Sequence, residues 1–315
     1  INTDIDSVIV CGTATIDHSD PETAANSMKL IIMDVKSEGD TISVNTIFDE
    51  KFFSSAYKTG RKGFNINYVI KAPGYVNINL DNSFGDIVLD KITGSTTIKL
   101  AHGNLIVGEL TRGNQKPINS IVIRDAGASI NKANWLSLET VNCQSVEISS
   151  VQALSAISES STISIEKVNS VVLNSKYDIY AIGMVTNCSA ETWLSKIKIS
   201  GLADMLEINA KVSTVRIDEI EEGFRNIVIT GDNSGFSLAF KPSVSFLLNA
   251  GLKNSAADIS GVKFHNLVRE GGKNADFNLR GFVGIDHNTG SRIEAGISNG
   301  KLELLNLSLR FSDSR

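Results

Sequence analysis

Residues 146–220 repeat one short pattern: an apolar residue, a variable one, a second apolar residue, two variable residues and a third apolar residue. The copies are VEISSV at 146–151, ISIEKV at 163–168, IKISGL at 197–202 and VRIDEI at 215–220. The second interval between their starts is twice the first, and the third is one position longer than the first, which indicates one unit for every ~17–20 residues. A unit this short buries its apolar side chains only by stacking on the units before and after it, as solenoids do. The repeat therefore predicts a parallel β-helix.

The rest of the chain shows the alternation typical of β-strands. Apolar residues fall on even positions in segments such as 42–48 and 64–70, and turn residues follow the short segments. Antiparallel sandwiches need tight two-residue turns, and Asn-Gly signals for such turns are few. The aliphatic residue at every sixth position that left-handed β-helices show is absent as well. We therefore predict an all-β fold, a single-stranded right-handed parallel β-helix (β-solenoid) with atypical capping strands at both ends.

We expect one continuous solenoid in three parts. Residues 1–72 supply N-terminal capping strands and lead into the solenoid, residues 73–241 form the β-helix coils, and residues 242–315 form C-terminal coils and a cap. The ends need covers because unpaired end strands promote aggregation. An exposed end strand could also pair with its copy in a second chain, so the sequence leaves the oligomeric state open.

Composition argues against several classes of protein. The 315 residues include 30 Lys and Arg against 35 Asp and Glu, so the chain lacks the basic excess that a nucleic-acid partner would require. No apolar run approaches the ~20 residues of a transmembrane segment. The chain opens with Ile1 rather than Met, from which we expect export by a signal peptide upstream of these residues. The expected location is secreted, periplasmic or at the outer surface.

The cysteines and histidines form no metal or redox motif. Cys11, Cys143 and Cys188 are widely spaced, so they give neither a zinc motif nor a disulfide framework. We predict three buried, small apolar side chains, with a disulfide between Cys143 and Cys188 as the alternative. The four histidines are dispersed and show no metal-ligand spacing. The sequence thus predicts no metal site and no cofactor.

Residues 5–16 (IDSVIVCGTATI) and residues 82–89 (NSFGDIVL) carry a resemblance to a known family. The first segment is similar to the first strand, and the second to the coils, of the autotransporter adhesin head (GIN) domain family and related adhesin-like β-helix proteins of Bacteroides-type bacteria. Residues 39–44 (GDTISV), 64–73 (FNINYVIKAP) and 298–304 (SNGKLEL) resemble further strands of the family. The resemblance implies a secreted or surface-anchored adhesion protein, and it supplies no catalytic residues.

Carboxylates are the residues to examine for catalysis, because β-helices that cleave polysaccharides carry them on one sheet. Asp81, Asp86 and Asp90 are the candidates for an acid and base pair. Asp86 and Asp90 lie at strand edges, where turns use aspartate to accept backbone N–H groups. His102, in Ala-His-Gly at 101–103, is interpreted as a solvent-exposed corner residue. We predict no catalytic residue among them.

The candidate binding residues are Phe53, Tyr57, Arg61 and Lys62, which share a loop without strand periodicity, together with His102. Rings and cations of this kind recur in binding patches and could contact an acidic polymer. The interpretation we favour is nevertheless an ordinary surface loop. Its phenylalanines then pack beneath neighbouring strands while its charges stay in water.

Other aromatic residues lie close to the repeat. Tyr177, Asp178 and Tyr180 interrupt it, and they indicate a bulge or a short loop. Trp135 and Trp193 each lie just before a strand motif. Such indoles could stack on a carbohydrate, but we interpret them as covers over coil corners.

Two functions are compatible with these features. We predict a non-enzymatic cell-adhesion protein that binds a glycan or a cell-surface protein through the solenoid exterior. The alternative is a polysaccharide-processing enzyme, a lyase or hydrolase, built on the same β-helix. The first function predicts no deep pocket, whereas the second requires two or three carboxylates gathered in one groove.

Overall fold

The computed structural model describes residues 6–54, 61–271 and 276–307. The chain divides into two compact units, Ile1–Pro73 and Gly74–Arg315. Within the described ranges, no helix has both the length and the hydropathy to cross a membrane.

The first unit combines two separate antiparallel strand pairs with short helices. Its elements are β1 (Ile9–His18), α1 (Pro21–Met28), β2 (Ile31–Glu38), β3 (Thr41–Phe48), a 3-10 helix (Glu50–Phe53) and β4 (Arg61–Lys71). β1 pairs with β4, and β2 pairs with β3. Asp20 begins α1 by accepting the Thr23 N–H at 2.9 Å, and Pro21 follows it at a position where a missing N–H costs little. The alternation at 42–48 and 64–70 therefore belongs to antiparallel strands.

The second unit contains 19 strands within the described residues. Those of the first coils are short: β5 (Ile78–Ser83), β6 (Ile87–Ile92), β7 (Thr96–Ala101), β8 (Asn104–Leu110) and β9 (Asn119–Arg124). Five long strands follow: β10 (Gly127–Val141), β11 (Val146–Glu159), β12 (Thr162–Lys176), β13 (Ile179–Trp193) and β14 (Lys196–Lys211). The remainder are β15 (Thr214–Ile220), β16 (Asn226–Asp232), β17 (Gly235–Phe240), β18 (Phe246–Lys253), β19 (Ala256–Asp258), β20 (Phe264–Gly271), β21 (Phe277–Val283), β22 (Arg292–Ser298) and β23 (Lys301–Asn306).

These strands form two parallel stacks. The first runs through β6 and β8, the N-terminal halves of β10 to β14, and then β15, β17, β23 and β19. The second runs through β5, β7 and β9, the C-terminal halves of β10 to β14, and then β16, β22 and β18. This arrangement is a parallel β-solenoid of about nine turns, which confirms the predicted all-β solenoid.

The register of the first stack follows the sequence repeat. Val146, Ile163, Tyr180, Ile197 and Val215 are successive partners across neighbouring strands, and each is at most 2% exposed. The doubled interval in the repeat therefore contains a further coil, whose first inward residue is a tyrosine. Burying such a side chain contributes about 1.5–3 kcal/mol, so the shared inward column is what holds one coil on the next.

The second stack ends in antiparallel strands. β18 pairs in parallel with β22 and antiparallel with β21, and β21 pairs antiparallel with β20. Leu267 and Val268 of β20 are 41% and 48% exposed. Among the described residues, the register of β20 is with β21.

One edge of the solenoid turns through left-handed residues. Wherever the chain passes from a strand of the second stack to the next strand of the first, one non-glycine residue has a φ between 46° and 67°. Asparagine tolerates this conformation better than most residues, and it recurs here. We call these residues the turn edge: Phe84, His102, Asp125, Asn142, Ser160, Tyr177, Leu194, Val212, Asn233, Asn254 and Asn299.

Replacing Val212 by asparagine is expected to stabilise the solenoid by about 1 kcal/mol. Val212 has a φ of 51° and is 48% exposed, so its β-branched side chain is strained and buries little surface. Asn233 occupies the equivalent position one coil on. The urea midpoint measured by circular dichroism should rise for Val212→Asn and fall for the matched exchange Asn233→Val. Equal midpoints for the two variants would contradict this account of the edge.

The three cysteines are free. The alternative of a disulfide between Cys143 and Cys188 is therefore wrong. Both of these thiols are buried as predicted, but Cys11 is exposed, and for it the prediction is wrong. Cys11 lies on β1, which pairs with β4 alone in a two-stranded sheet, so its outward side chains stay accessible.

Candidate functional site

The candidate loop of the first unit yields an aromatic cluster. Phe53 belongs to the 3-10 helix and is 49% exposed, whereas Phe52 is fully buried. Both rings lie within about 5 Å of the Phe48 ring, at centroid distances of 5.2 and 5.0 Å. The interpretation that both phenylalanines are covered is correct for Phe52 and wrong for Phe53. Tyr57 lies outside the described residues, and Arg61 and Lys62 begin β4.

His102 belongs to the second unit, on the turn edge. Its φ is 55°, and its ring stacks on that of Phe84 with centroids 4.8 Å apart and planes 15° apart. Phe84 is 76% exposed. The pair presents a small flat aromatic surface at one coil corner, which agrees with the interpretation of His102 as a corner residue.

The three candidate carboxylates do not converge on one strand stack. Asp81 lies on β5 in the second stack, next to Lys99 of β7 in register, whereas Asp90 lies on β6 in the first stack. Asp86 precedes β6, and its carboxylate accepts the Asn104 N–H at 2.8 Å and the Asn104 side-chain amide at 3.0 Å. Asp86 thus joins two successive coils, the turn role expected of it.

Exposed rings and polar groups meet at another point of the turn edge. The rings of Tyr177 and Trp193 lie 5.2 Å apart, and these residues are 46% and 42% exposed. The Lys176 Nζ lies 5.2 Å from the Tyr177 centroid and 5.3 Å from the Trp193 centroid, within cation–π range of both. It also forms an ion pair with Glu159 at 3.1 Å. We call Lys176, Tyr177 and Trp193 the aromatic site.

Polar side chains surround the aromatic site. A shallow, open depression of about 250 Å³ beside Trp193 is lined by Asn174, Glu191, Asn209 and Lys211 as well as by Lys176. Lys176, Trp193 and Lys211 are successive register partners, so the indole lies between two lysines along the axis. These groups offer hydrogen-bond donors and acceptors around an exposed ring. The Trp193 ring is thus partly exposed and lies among polar side chains at this corner.

A buried polar column lies directly beneath the turn edge. It runs from Cys143 to Ser234 through the residues that directly follow the turn-edge residues, and up to Ser213 the backbone N–H of each donates to the side chain of the next one along the axis. Ser161 N donates to Asp178 Oδ1 at 2.7 Å, and Asp178 N donates to Ser195 Oγ at 3.0 Å. Ser195 N donates to Ser213 Oγ at 3.1 Å, and Ser213 N to Ser234 Oγ at 3.0 Å. The column satisfies N–H groups that water cannot reach.

Asp178 is the centre of this column and the anchor of the aromatic site. It is 1% exposed, and besides Ser161 N it accepts Ser158 Oγ at 2.6 Å, Ser175 Oγ at 2.9 Å and Lys176 N at 2.9 Å. Asp178 accepts the backbone N–H of Lys176, and its own N–H donates to Ser195, so the residues on both sides of Tyr177 in the sequence are held by hydrogen bonds. One buried carboxylate thus fixes the turn that presents two members of the site.

Tyr180, beside Asp178, and the buried Cys188 thiol are both held in their neutral forms. Ser158 Oγ gives its single proton to Asp178, so in the 2.7 Å contact with Tyr180 the tyrosine hydroxyl is the donor. Burial raises the pKa of Tyr180 well above its usual range, and it raises the pKa of the Cys188 thiol to about 12. Neither group is a nucleophile at neutral pH.

A larger depression lies on the first stack. It measures about 420 Å³ and is lined by Lys132, Ser150, Lys167, Met184 and neighbouring polar side chains, without an aromatic ring. Within the described residues, no group of three His, Cys, Asp or Glu side chains is placed to hold a metal ion. We therefore take the aromatic site as the candidate functional site.

Comparison with known proteins finds no matching family model, no matching curated protein and no matching solved structure. The resemblance to adhesin head domains stays a prediction from the sequence. The contacts of the aromatic site are thus the basis on which a function can be proposed.

Proposed function

We propose that this chain binds a neutral glycan at the aromatic site, without cleaving it. The observation that carries the proposal is the exposed pair of Tyr177 and Trp193 at the corner of a stacked coil. One face of a sugar ring presents C–H groups, which stack on an aromatic ring, while its rim presents hydroxyl groups. Asn174, Glu191 and Asn209 lie where those hydroxyls would need partners.

Charge balance favours a neutral ligand over an acidic one. Lys176 is already paired with Glu159, and Lys211 lines the same depression as Glu191 and is the register partner of Asp232. Positive charge at the site is therefore offset within one or two coils, and the chain as a whole carries a net charge of −5. A polymer of uronic acids would meet no excess of positive charge here.

Cleavage is not part of the proposal. Asp81 and Asp90 lie in different stacks, and Asp86 is engaged with Asn104. A glycosidase needs two carboxyl groups about 5–10 Å apart across the scissile bond. A role in cell adhesion at a secreted or surface location rests on the sequence resemblance, and it forms part of this proposal.

Trp193→Ala is expected to weaken binding of the preferred glycan about 10- to 30-fold, because central aromatic residues dominate such sites. A neutral glycan array screened with the intact chain identifies the ligand, and isothermal titration then gives its Kd for each variant. Tyr177→Ala should cause a similar loss. Trp193 is 42% exposed, so circular dichroism and the urea midpoint should stay close to those of the parent chain.

Phe84→Ala is the matched control for these variants. Phe84 is also an exposed turn-edge aromatic, but it stacks on His102 five coil corners away from Tyr177 along the edge. Its loss should leave the Kd unchanged. Equal weakening by Phe84→Ala, or unchanged binding by Trp193→Ala, would contradict the assignment of the site. Absence of any glycan bound by the parent chain, or release of shorter products from a bound glycan, would contradict the proposed function itself.

A further inference from the structure

The C-terminal coil is inserted out of order. After β17 the chain does not continue beside β16 but moves one strand position further along the axis to form β18 and β19. β22 then lies between β16 and β18, pairing in parallel with both. β23 in the same way lies between β17 and β19. The last coil in sequence is therefore not the last coil in space, and it fills a slot one strand wide.

The inserted coil is complementary to both walls of the slot. Ile293, Leu302 and Leu304 are fully buried. Glu303 accepts Ser237 Oγ from one wall at 2.8 Å, and Asn299 Oδ1 accepts Asn254 Nδ2 from the other wall at 2.8 Å. Backbone pairing, inward side chains and polar side chains thus all match this one segment.

All of these partners are distant in sequence. Glu303 and Ser237 are separated by 66 residues, and Asn299 and Asn254 by 45 residues. The connection from β21 runs through residues 284–291, where Ser245 Oγ accepts the Ile285 N–H at 3.1 Å. Contacts of such long range form late because loop closure must come first. Insertion of residues 292–306 is therefore expected to be a late step of folding.

We propose that the slot accepts residues 292–306 of a second copy of this chain, so that two copies can exchange their inserted coils. The slot selects its occupant by sequence and register, and a second copy carries the same segment. The eight-residue connection gives the segment an effective concentration in the millimolar range within its own chain. The monomer thus dominates in dilute solution, and exchange grows with concentration during folding.

The test uses full-length chains with single cysteines at a register pair across the slot. Thr230 and Gly296 are partners on β16 and β22, and both are exposed, so Thr230→Cys and Gly296→Cys leave the core intact. Neighbouring strands lie about 4.8 Å apart, within the range of a disulfide. Cys11→Ser removes the exposed native thiol from each chain, and the two native thiols that remain, Cys143 and Cys188, are buried in the folded protein. The two chains, each with one introduced cysteine, are unfolded together in reductant, refolded at increasing concentration and oxidised only after refolding.

Exchange predicts a disulfide-linked heterodimer whose fraction rises about tenfold over a tenfold range of concentration while it remains the minor species. Thr230→Cys with Gly251→Cys is the matched control, because Gly251 lies on β18, on the far side of β22 from Thr230. This pair should not crosslink. A chain that carries both Thr230→Cys and Gly296→Cys reports insertion within one chain. An internal disulfide there, without heterodimer above the control level, would overturn the proposal, and absence of that internal disulfide would overturn the insertion on which it depends.

Discussion

Gly183→Ala is expected to lower the stability of the solenoid by about 2–3 kcal/mol, the range for overpacking a tight interior contact. A Cβ at Gly183 would lie 2.2 Å from the backbone oxygen of Glu166, one coil earlier. A backbone carbonyl cannot rotate away as a flexible side chain can, so the two coils would have to separate locally. A urea midpoint well below that of the parent chain is the expected result.

Gly296→Ala is the control for this substitution. A Cβ at Gly296 meets no atom within 4 Å, and this glycine lies on the outward side of β22. Alanine has less conformational freedom than glycine in the unfolded chain, so folding costs less entropy. Gly296→Ala should therefore be neutral or stabilise the protein by up to about 1 kcal/mol. If both variants unfold at the same urea concentration, close packing of the coils at Gly183 does not limit stability.

The sequence repeat predicts the fold because every coil contributes the same inward positions. Val146, Ile163 and Ile197 recur at one interval and then at twice that interval, and the structure stacks them in one column. The coil that begins at Tyr180 is not recognisable in the sequence repeat. A tyrosine stands there at the first inward position, where the other copies of the repeat have an aliphatic residue, and the buried Asp178 lies two residues before it. The tyrosine hydroxyl is satisfied by the tertiary hydrogen bond that it donates to Ser158, and the sequence does not show that partner.

The aromatic site is harder to predict than the coils. Tyr177 and Trp193 are one coil apart in the sequence, and they meet because successive coils stack at the corner where Tyr177 takes a left-handed conformation. The candidate loop at 53–62 attracts attention because its rings and cations are adjacent in sequence, a weaker criterion than adjacency in space. A usable signal exists: serine recurs two residues before the apolar pattern, at Ser161, Ser195 and Ser213. That recurrence marks the corner.

The order of the last coils cannot be obtained from the repeat. The inward apolar pattern of each coil can stack on that of any other coil. By this pattern alone, either β18 or β22 could pair with β16, and the structure places β22 there. Specific polar contacts decide the position, such as the one between Ser237 and Glu303. These pairs carry no periodic signal because each occurs once.

Asp178→Ala is expected to cost about 3–5 kcal/mol, the largest single loss in the chain, because it leaves several buried donors without an acceptor. Ser158 Oγ, Ser175 Oγ and the backbone N–H groups of Ser161 and Lys176 all donate to this carboxylate. The side chain is 1% exposed, so water cannot replace it without opening the coil. A marked fall in the urea midpoint should follow.

Asp178→Ser separates the two roles of this residue. Serine fills the equivalent position at Ser161 and Ser195, so Asp178→Ser keeps an acceptor for the Ser161 N–H and loses the remaining bonds. Its urea midpoint should fall between those of the parent chain and of Asp178→Ala. Asp178 holds the turn through Lys176 N, so glycan affinity should fall in the same order even where each variant is folded. A parent-like urea midpoint for Asp178→Ala would refute the structural role of the carboxylate, and a large loss of stability with an unchanged Kd in the folded variants would show that Tyr177 is positioned by other contacts.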